Sequence, residues 1–479
     1  MGYDERLELL IGGEWRQGSD GVTEPVTDPA TDEVIGHVPH ASTADLDAAL
    51  EASRRGFETW RATPALERQK VMEKAARLLE DRADTIARNL TLEMGKPLGE
   101  ARMELGFAID VLRWYGEEGK RVYGRMVPAR MKGMRQEVVK EPVGPALAFV
   151  AWNFPAVNVM RKVAGALGAG CSLIIKPSEE TPATAVAIGR ALQDAGLPEG
   201  VLNIVFGVPA RVSEHLIASP IPRKISFTGS VEVGKHLQRL AADTLKRCTM
   251  ELGGHAPVMI FADTDVEKAA KITAAGKFRN AGQVCVSPTR FLVEDAAYDR
   301  FAEAFAEEAR RLQVGHGLEE GTAMGPLIAP RRVEVMEGLV EDAIAAGATL
   351  LAGGERIGNR GSFFAPTVLG DVPVTARVMN DEPFGPIAPV SRVSSLKEML
   401  DEANRLPLGL ASYAFTSDRQ TAAALAEGVE AGMLAINSLL VSTPETPFGG
   451  IHESGYGSEG GIEGLEAFLR TRLVTETQL

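Results

Sequence analysis

Cysteine is nearly absent from this 479-residue chain, with three residues at 171, 248 and 285 and none in a C-x-x-C pair. Three thiols cannot build a disulfide framework, so a reducing cytoplasm is the expected compartment. The seven histidines are scattered, which argues against a structural zinc site, and no metal is expected. Positive charge is in deficit as well. Lys and Arg total 51 against 65 Asp and Glu, a formal charge of −14 that argues against a broad nucleic-acid surface. No apolar run is long enough to span a bilayer, no basic leader-like segment opens the chain, and no short-period repeat or low-complexity tract interrupts it. What remains is an ordinary globular composition, 45% apolar and 24% charged, in a chain sized for two or three domains.

Residues 10–15 suggest a short hairpin. The spacing of Leu46, Leu50, Phe57 and Trp60 predicts a helix beginning near Ser42 with Thr43 as N-cap. Further helices are expected over 65–92 and 98–121, followed by a strand over 134–140 that belongs to no neighbouring repeat. Beyond Pro142, strands expected over 146–151, 172–175, 202–205, 224–227 and 247–250 alternate with helices over 156–168, 182–195, 210–217 and 231–243. That alternation predicts a parallel, doubly wound sheet, with ligands beyond the carboxyl ends of its strands. A second alternating set runs from Ala256 to about Gly432, and a last strand over 467–477 could pair with 134–140 or with another subunit.

Chemistry-bearing residues cluster at these junctions. Cys285 follows a Gly-containing turn, with Arg279 six residues upstream. Helix ends and cations favour a thiolate, so Cys285 is either a nucleophile or a small buried apolar side chain. Asn153, just after a strand, could hydrogen-bond a developing oxyanion or simply form a turn. Lys176, Ser178 and Glu179 follow the next strand, where a carboxylate suits the two ribose hydroxyls and repels a 2′-phosphate. Gly229 and Ser230 open a helix whose free N–H groups suit a diphosphate. Gly229 to Lys235 also spells G-x-x-x-x-G-K, but His236 follows where a phosphate loop needs Ser or Thr. Glu251, at a strand end beside two glycines, could act as a general base. Glu382 lies on a proline-bounded loop, and Phe448 could wall a substrate channel.

Taken in order, Trp152 to Pro155, Lys176 to Glu179, Phe227 to Ser230, Glu251 to Gly254, Gly282 to Cys285, Glu382 to Pro386 and Pro447 to Gly450 resemble the aldehyde dehydrogenase superfamily along essentially the whole chain. The resemblance implies an α/β fold with a doubly wound Rossmann-like NAD-binding domain (1–122 and 143–253), a second α/β catalytic domain (254–440) and a small β oligomerisation arm (123–142 and 455–479). It implies that Cys285 attacks the aldehyde carbon, that Asn153 and the Cys285 N–H hold the oxyanion, and that Glu251 activates water against the thioester. Lys162 and Glu459 match positions thought to relay protons. Trp152, Lys176, Ser178, Glu179, Gly229, Ser230, Leu252, Glu382 and Phe384 would line the cofactor, NAD being preferred because of Glu179, with NADP as the alternative. A homodimer or homotetramer is implied.

Within the superfamily the chain looks most like the succinate-semialdehyde and α-ketoglutarate-semialdehyde dehydrogenases. Arg161, Arg279 and Ser442 match positions that hold a distal carboxylate, as bidentate arginine forks do. The alternative for both arginines is a helix-surface ion pair. A short ω-semialdehyde such as succinate semialdehyde is therefore the expected substrate. The rival readings are α-ketoglutarate semialdehyde or broad-range oxidation, a CoA-acylating enzyme, a phosphate-loop ATPase and a cysteine hydrolase. Two departures stand out: Ser287 removes the second cysteine of some relatives, and His452 replaces a more usual lysine.

Overall fold

The computed structural model describes residue 3 and residues 6–478. Its first helix, α1 (Thr43–Ala62), is capped by Ser42 rather than Thr43. The Ser42 side chain accepts the Asp45 N–H while the Asp45 carboxylate reaches back to the Ser42 N–H, a complete capping box. The apolar stripe expected over 65–92 is broken at Arg82 (φ −103°, ψ 6°) into α2 (Ala65–Asp81) and α3 (Ala83–Met94). No Gly or Pro marks the break. The two halves bury separate stripes, Met72, Ala75, Ala76 and Leu79 on α2 and Ile86, Ala87, Leu90 and Met94 on α3, so the chain turns between them. Helix α3 ends on left-handed Gly95 (φ 93°), and α4 (Leu98–Glu118) follows.

The next four helices, α5 (Pro155–Ala169), α6 (Pro182–Ala195), α7 (Pro209–Ala218) and α8 (Val231–Ala242), connect five parallel strands. Across the sheet these run Leu202–Ile204, Leu173–Lys176, Ala146–Phe149, Lys224–Thr228, Arg247–Glu251. The two strands flanking α5 are buried on both faces, as helices on each side require. Strand order reverses between Ala146–Phe149 and Lys224–Thr228, and the loops leaving those two carboxyl ends diverge to open a crevice. The hairpin of Leu9–Ile11 and Glu14–Arg16 extends one edge of this sheet, and Gly455–Tyr456 the other.

A second sheet carries α9 (Val266–Phe278) and has the order Thr349–Ala352, Thr367–Gly370, Ile387–Val393, Pro288–Glu294, Ala256–Ile260, Ala411–Phe415, Met433–Ile436. Neighbours are parallel except the first pair. Each sheet buries its own apolar cluster. The site lies between them, with the carboxyl ends of the first sheet facing the amino ends of the second. Gly254, Cys285, Pro386 and Leu410 all stand just before second-sheet strands.

A third sheet has Met134–Pro142 between Arg125–Val127 and Leu469–Thr477. The terminal strand pairs with its own chain, from Leu469 opposite Pro142 to Thr477 opposite Met134. Among the described residues from 455 onward only this strand joins that sheet, and Gly455–Tyr456 pair instead with Arg247–Glu251. Among the described residues no helix is long and apolar enough to cross a membrane.

Helix α1 is pinned to α5 by Trp60, 1% exposed, whose indole N–H donates to the Leu167 carbonyl at 2.9 Å. Trp60→Ala should cost about 3–5 kcal/mol, and Trp60→Phe, which loses the indole bond but keeps an aromatic ring and leaves the carbonyl its bond from the Gly170 N–H, about 0.5–1.5 kcal/mol. Thermal denaturation should therefore place the Phe variant between wild type and Ala.

Candidate active site

Two cavities, about 330 and 310 Å³, meet at Cys285 and share Asn158, Arg161 and Phe448 on their walls. The first lies at the crevice of the first sheet. Trp152 and Asn153 enter it from the end of Ala146–Phe149, Gly229 and Ser230 from the end of Lys224–Thr228, and Glu251 and Leu252 from the next strand, while Glu382 and Phe384 close it from the second sheet. The other cavity holds Arg279 and Ser442 together with Phe107 and Phe154.

The loop carrying Cys285 has an unusual backbone. After α9 the chain places Asn280 (φ 51°), Ala281 (φ 52°) and Gly282 (φ 71°) in the left-handed region, costing about 1–3 kcal/mol for each of the two residues with a Cβ. A Cβ on Gly282 would lie 2.1 Å from the Gly385 carbonyl oxygen, so glycine is required there. Buried bonds hold the turn. Asn280 Nδ2 donates to the carbonyls of Asn153 (3.0 Å) and Gln283 (3.1 Å), and Glu100 accepts the Asn280 N–H at 2.9 Å. Asn153 Nδ2 donates to Gln283 O at 3.1 Å, so the expected oxyanion donor lies against the cysteine loop and gives its proton to that loop in this state.

The thiol is not favoured as thiolate, contrary to the expectation from helix ends and cations. Burial first, then the Glu382 and Glu251 carboxylates, push Cys285 up to about 12 against the opposing pull of Arg161. The cysteine follows a left-handed turn instead of opening a helix. Arg279, the cation expected beside it, is instead spread over the Phe154 ring at 5.6 Å.

Glu251 has both carboxylate oxygens buried without a hydrogen-bond partner. Burial, and then repulsion from Glu459, hold it well above the usual carboxylate range. Behind it Glu459 pairs with Lys162 and accepts from Ser226 Oγ at 3.0 Å, while Lys162 also donates to Thr228 Oγ1 at 2.7 Å.

The residues expected to hold a dinucleotide divide into two groups. Around the first cavity, a Cβ on Gly229 would stand 2.4 Å from the Phe227 ring, Ser230 caps α8 by accepting the Val233 N–H, and a Cβ on Gly253 would stand 2.4 Å from Glu382. Phe384 packs edge-on against Trp152 with ring centroids 5.5 Å apart. Burial pushes Glu382 up to about 7. A glycine-lined helix start with two carboxylates and flat apolar walls fits the diphosphate, ribose and ring of a nicotinamide dinucleotide. By contrast, Lys176, Ser178 and Glu179 line neither cavity. Lys176 pairs with Glu179 at 2.6 Å, the other Glu179 oxygen accepts the Gly207 N–H at 2.9 Å, and Ser178 Oγ accepts the Glu180 N–H at 3.3 Å. Lys235 points to Glu453 at 2.8 Å and lies outside the cavity, which removes the phosphate-loop reading. His255 spends both ring nitrogens on Thr289 and Val378, and lines neither cavity, so it is no partner for the thiol. His452 sits on a left-handed residue (φ 55°) and meets Glu430 at 3.2 Å, outside both cavities.

In the second cavity Arg161 is 5% exposed, yet among the described residues no carboxylate pairs with it. Its Nη2 donates to Ser442 Oγ at 2.6 Å, its face lies 4.0 Å from the Phe448 ring centroid, and its Nε has no partner. Sequence reasoning missed Lys96, Glu100 and Glu104 in this cavity and Arg331 and Arg332 in the other. Nothing local marks them, since each reaches its place through contacts distant in sequence.

The sequence profile described as the Aldehyde dehydrogenase family matches residues 15–474. The chain belongs to the aldehyde dehydrogenase family. Such enzymes oxidise aldehydes to acids with a nicotinamide cofactor, and this aldehyde dehydrogenase has the family's fold. It is 48% identical over 467 residues to 4-(hydroxymethyl)benzenesulfonate dehydrogenase TsaD1 of Comamonas testosteroni (98% of this chain, 97% of the relative). It is 42% identical over 467 residues to glutarate-semialdehyde dehydrogenase of Pseudomonas putida, with the same coverage. The crystal structure of succinate-semialdehyde dehydrogenase from Burkholderia pseudomallei superposes with a TM-score of 0.97 at 40% identity, covering 99% of this chain and 98% of that one.

Because the Cys285 thiol ionises near 12, its thiolate is scarce at neutral pH and grows as pH rises. Alkylation of Cys285 in the free enzyme, followed by peptide mass mapping, should accelerate about tenfold per pH unit between pH 7 and 9. Glu382→Gln removes a charge that is present above about pH 7 and should raise the rate at pH 8 to 9. A rate already flat above pH 7 would contradict the raised value.

Proposed function

We propose that this enzyme oxidises an aldehyde whose far end carries an anion, a short ω-semialdehyde such as succinate semialdehyde being the first choice. The buried Arg161, without a carboxylate partner among the described residues and in one cavity with Cys285, carries this reading. An unpaired buried guanidinium is costly, and a ligand anion would meet that cost. Arg279 and Ser442 line the same cavity and would share the anion.

Cys285 sulfur attacks the carbonyl carbon, giving a tetrahedral thiohemiacetal oxyanion. The Asn153 amide leaves Gln283 to donate to this oxyanion, together with the Cys285 N–H. Gly229, Ser230, Leu252, Trp152, Glu382 and Phe384 would hold a nicotinamide dinucleotide, which would supply the hydride acceptor that leaves a thioester on Cys285. Glu251 then takes a proton from water, which attacks the thioester and releases the acid and the thiol. Its high proton affinity makes it a strong base once ionised, and Lys162 with Glu459 would relay the proton onward. An acylating enzyme using CoA has no use for this buried acid. Lys176, Ser178 and Glu179 follow the strand beside the Asn153 strand, where the adenosine ribose would lie, and Glu179 supports NAD over NADP. Sheet by sheet, the first serves the cofactor and the second the cysteine. The edge strands with Met126 and Leu473 exposed suit pairing with a second copy, in a dimer or tetramer. Three free thiols suit a reducing cytoplasm.

A second reading is a sulfonated aromatic aldehyde. Phe107, Phe154 and Phe448 wall the distal cavity, and the Comamonas relative is named for a benzenesulfonate.

A panel of aldehydes with NAD and NADP, followed by reduced-cofactor absorbance, tests the reading. Arg161→Met should raise KM for succinate semialdehyde about tenfold to a hundredfold while leaving an uncharged aldehyde of equal length within about twofold. Equal effects on both would end the anion reading. Glu251→Gln should give one stoichiometric burst of reduced cofactor and then stop, whereas no burst would assign the glutamate to an earlier step.

A further inference from the structure

Lys96 lies between α3 and α4, 2% exposed, with its ammonium 4.0 Å from the Phe154 ring centroid. It donates to Glu104 at 2.5 Å and to the Asn153 carbonyl at 2.9 Å. The other Glu104 oxygen accepts the N–H groups of Ala156 (2.7 Å) and Val157 (3.3 Å), free donors in the first turn of α5. Lysine and glutamate thus grip residues 153–157 from both ends. One turn earlier on α4, Glu100 accepts the Asn280 N–H, and Asn280 in turn shares the Asn153 carbonyl with Lys96. A single helix therefore presents two carboxylates at i and i+4, one to the cysteine loop and one to the segment bearing the amide of Asn153.

Resting on the reading of Asn153 as oxyanion donor, we propose that Lys96 is a positioning residue for that donor, fixing its backbone through the buried bonds to the Asn153 carbonyl and to Glu104. Stability alone gives little reason for a lysine here. A buried ion pair is often no better than an apolar pair of the same volume, while an oxyanion donor must be held to within about half an ångström. The Asn153 side chain has an alternative acceptor, the Gln283 carbonyl, so its aim depends on where the backbone is held.

The test is a double-mutant cycle on the full-length enzyme with NAD and succinate semialdehyde, reading the rate constant of the reduced-cofactor burst, KM, and alkylation of Cys285 in the free enzyme. Alkylation forms no oxyanion and should not sense the donor. Lys96→Met should slow the burst at least about tenfold, leave KM for an uncharged aldehyde of equal length within about threefold and leave alkylation unchanged. In an Asn153→Ala background the same change should slow the burst less than about twofold, because the donor it positions is gone. If Lys96→Met fails to fold, Lys96→Gln, which keeps a neutral donor, is judged by the same criteria. Equal slowing in both backgrounds, or alkylation falling in step with the burst, overturns the proposal while leaving Asn153 as donor. A normal burst in Asn153→Ala alone overturns the donor reading and this inference with it.

Discussion

Two sheets with separate cores meet at a small knot of amides. Asn153 lies on the loop after a strand of the first sheet, Asn280 and Gln283 precede a strand of the second, and buried hydrogen bonds join the two segments, Asn280 to Asn153 at a sequence separation of 127. Packing within either sheet does not fix the distance between a sulfur on one and an amide on the other. These few polar contacts do. Buried amides leave little latitude, because an unmade bond there costs about 1–3 kcal/mol. That accounts for the tolerated left-handed backbone at Asn280 and Ala281, whose strain the same bonds offset.

The meeting of carboxyl ends with amino ends also divides the chemistry. Strand ends of the first sheet release loops toward the crevice and supply glycines, an asparagine and a glutamate. The second sheet feeds in its loops from the opposite direction, bringing the thiol and Glu382. The result is a cleft crowded with acids. Glu251, Glu382 and Glu459 surround one thiol. Lys162 and Arg161 are the cations that act most on Glu251, Arg161 the one that acts on the thiol, and Arg332 and Lys277 those that act on Glu382. Groups that repel one another so strongly titrate as a set, so the protonation of sulfur and of Glu251 is a joint property of the cleft.

Much of this was legible in the chain because it is local. Strand-to-helix alternation, the turn at Gly229 and Ser230 and the glycines after Glu251 each follow from a few neighbouring residues, and all lie at one end of one sheet. What was not legible depends on long-range contact. The break at Arg82 leaves no mark in composition, since it follows from the directions of two apolar stripes. The thiol's proton affinity is not legible because it comes first from burial and then from acids 97 and 34 residues away, Glu382 and Glu251, none of which the residues around Cys285 reveal. Lys96 and Arg332 look like surface residues in sequence, and only the packing of α4 and of the Glu382 loop turns them inward.

Glu251 sits in the protein interior with neither oxygen accepting a hydrogen bond from another residue, in a chain whose first helix carries a complete capping box. A buried acid to which no other residue donates a hydrogen bond works against folding. Homologous positions that silence it should therefore melt later, and heat-selected variants of this enzyme would drift toward inactivity at this residue first. Thermal robustness and turnover are set against each other at one side chain.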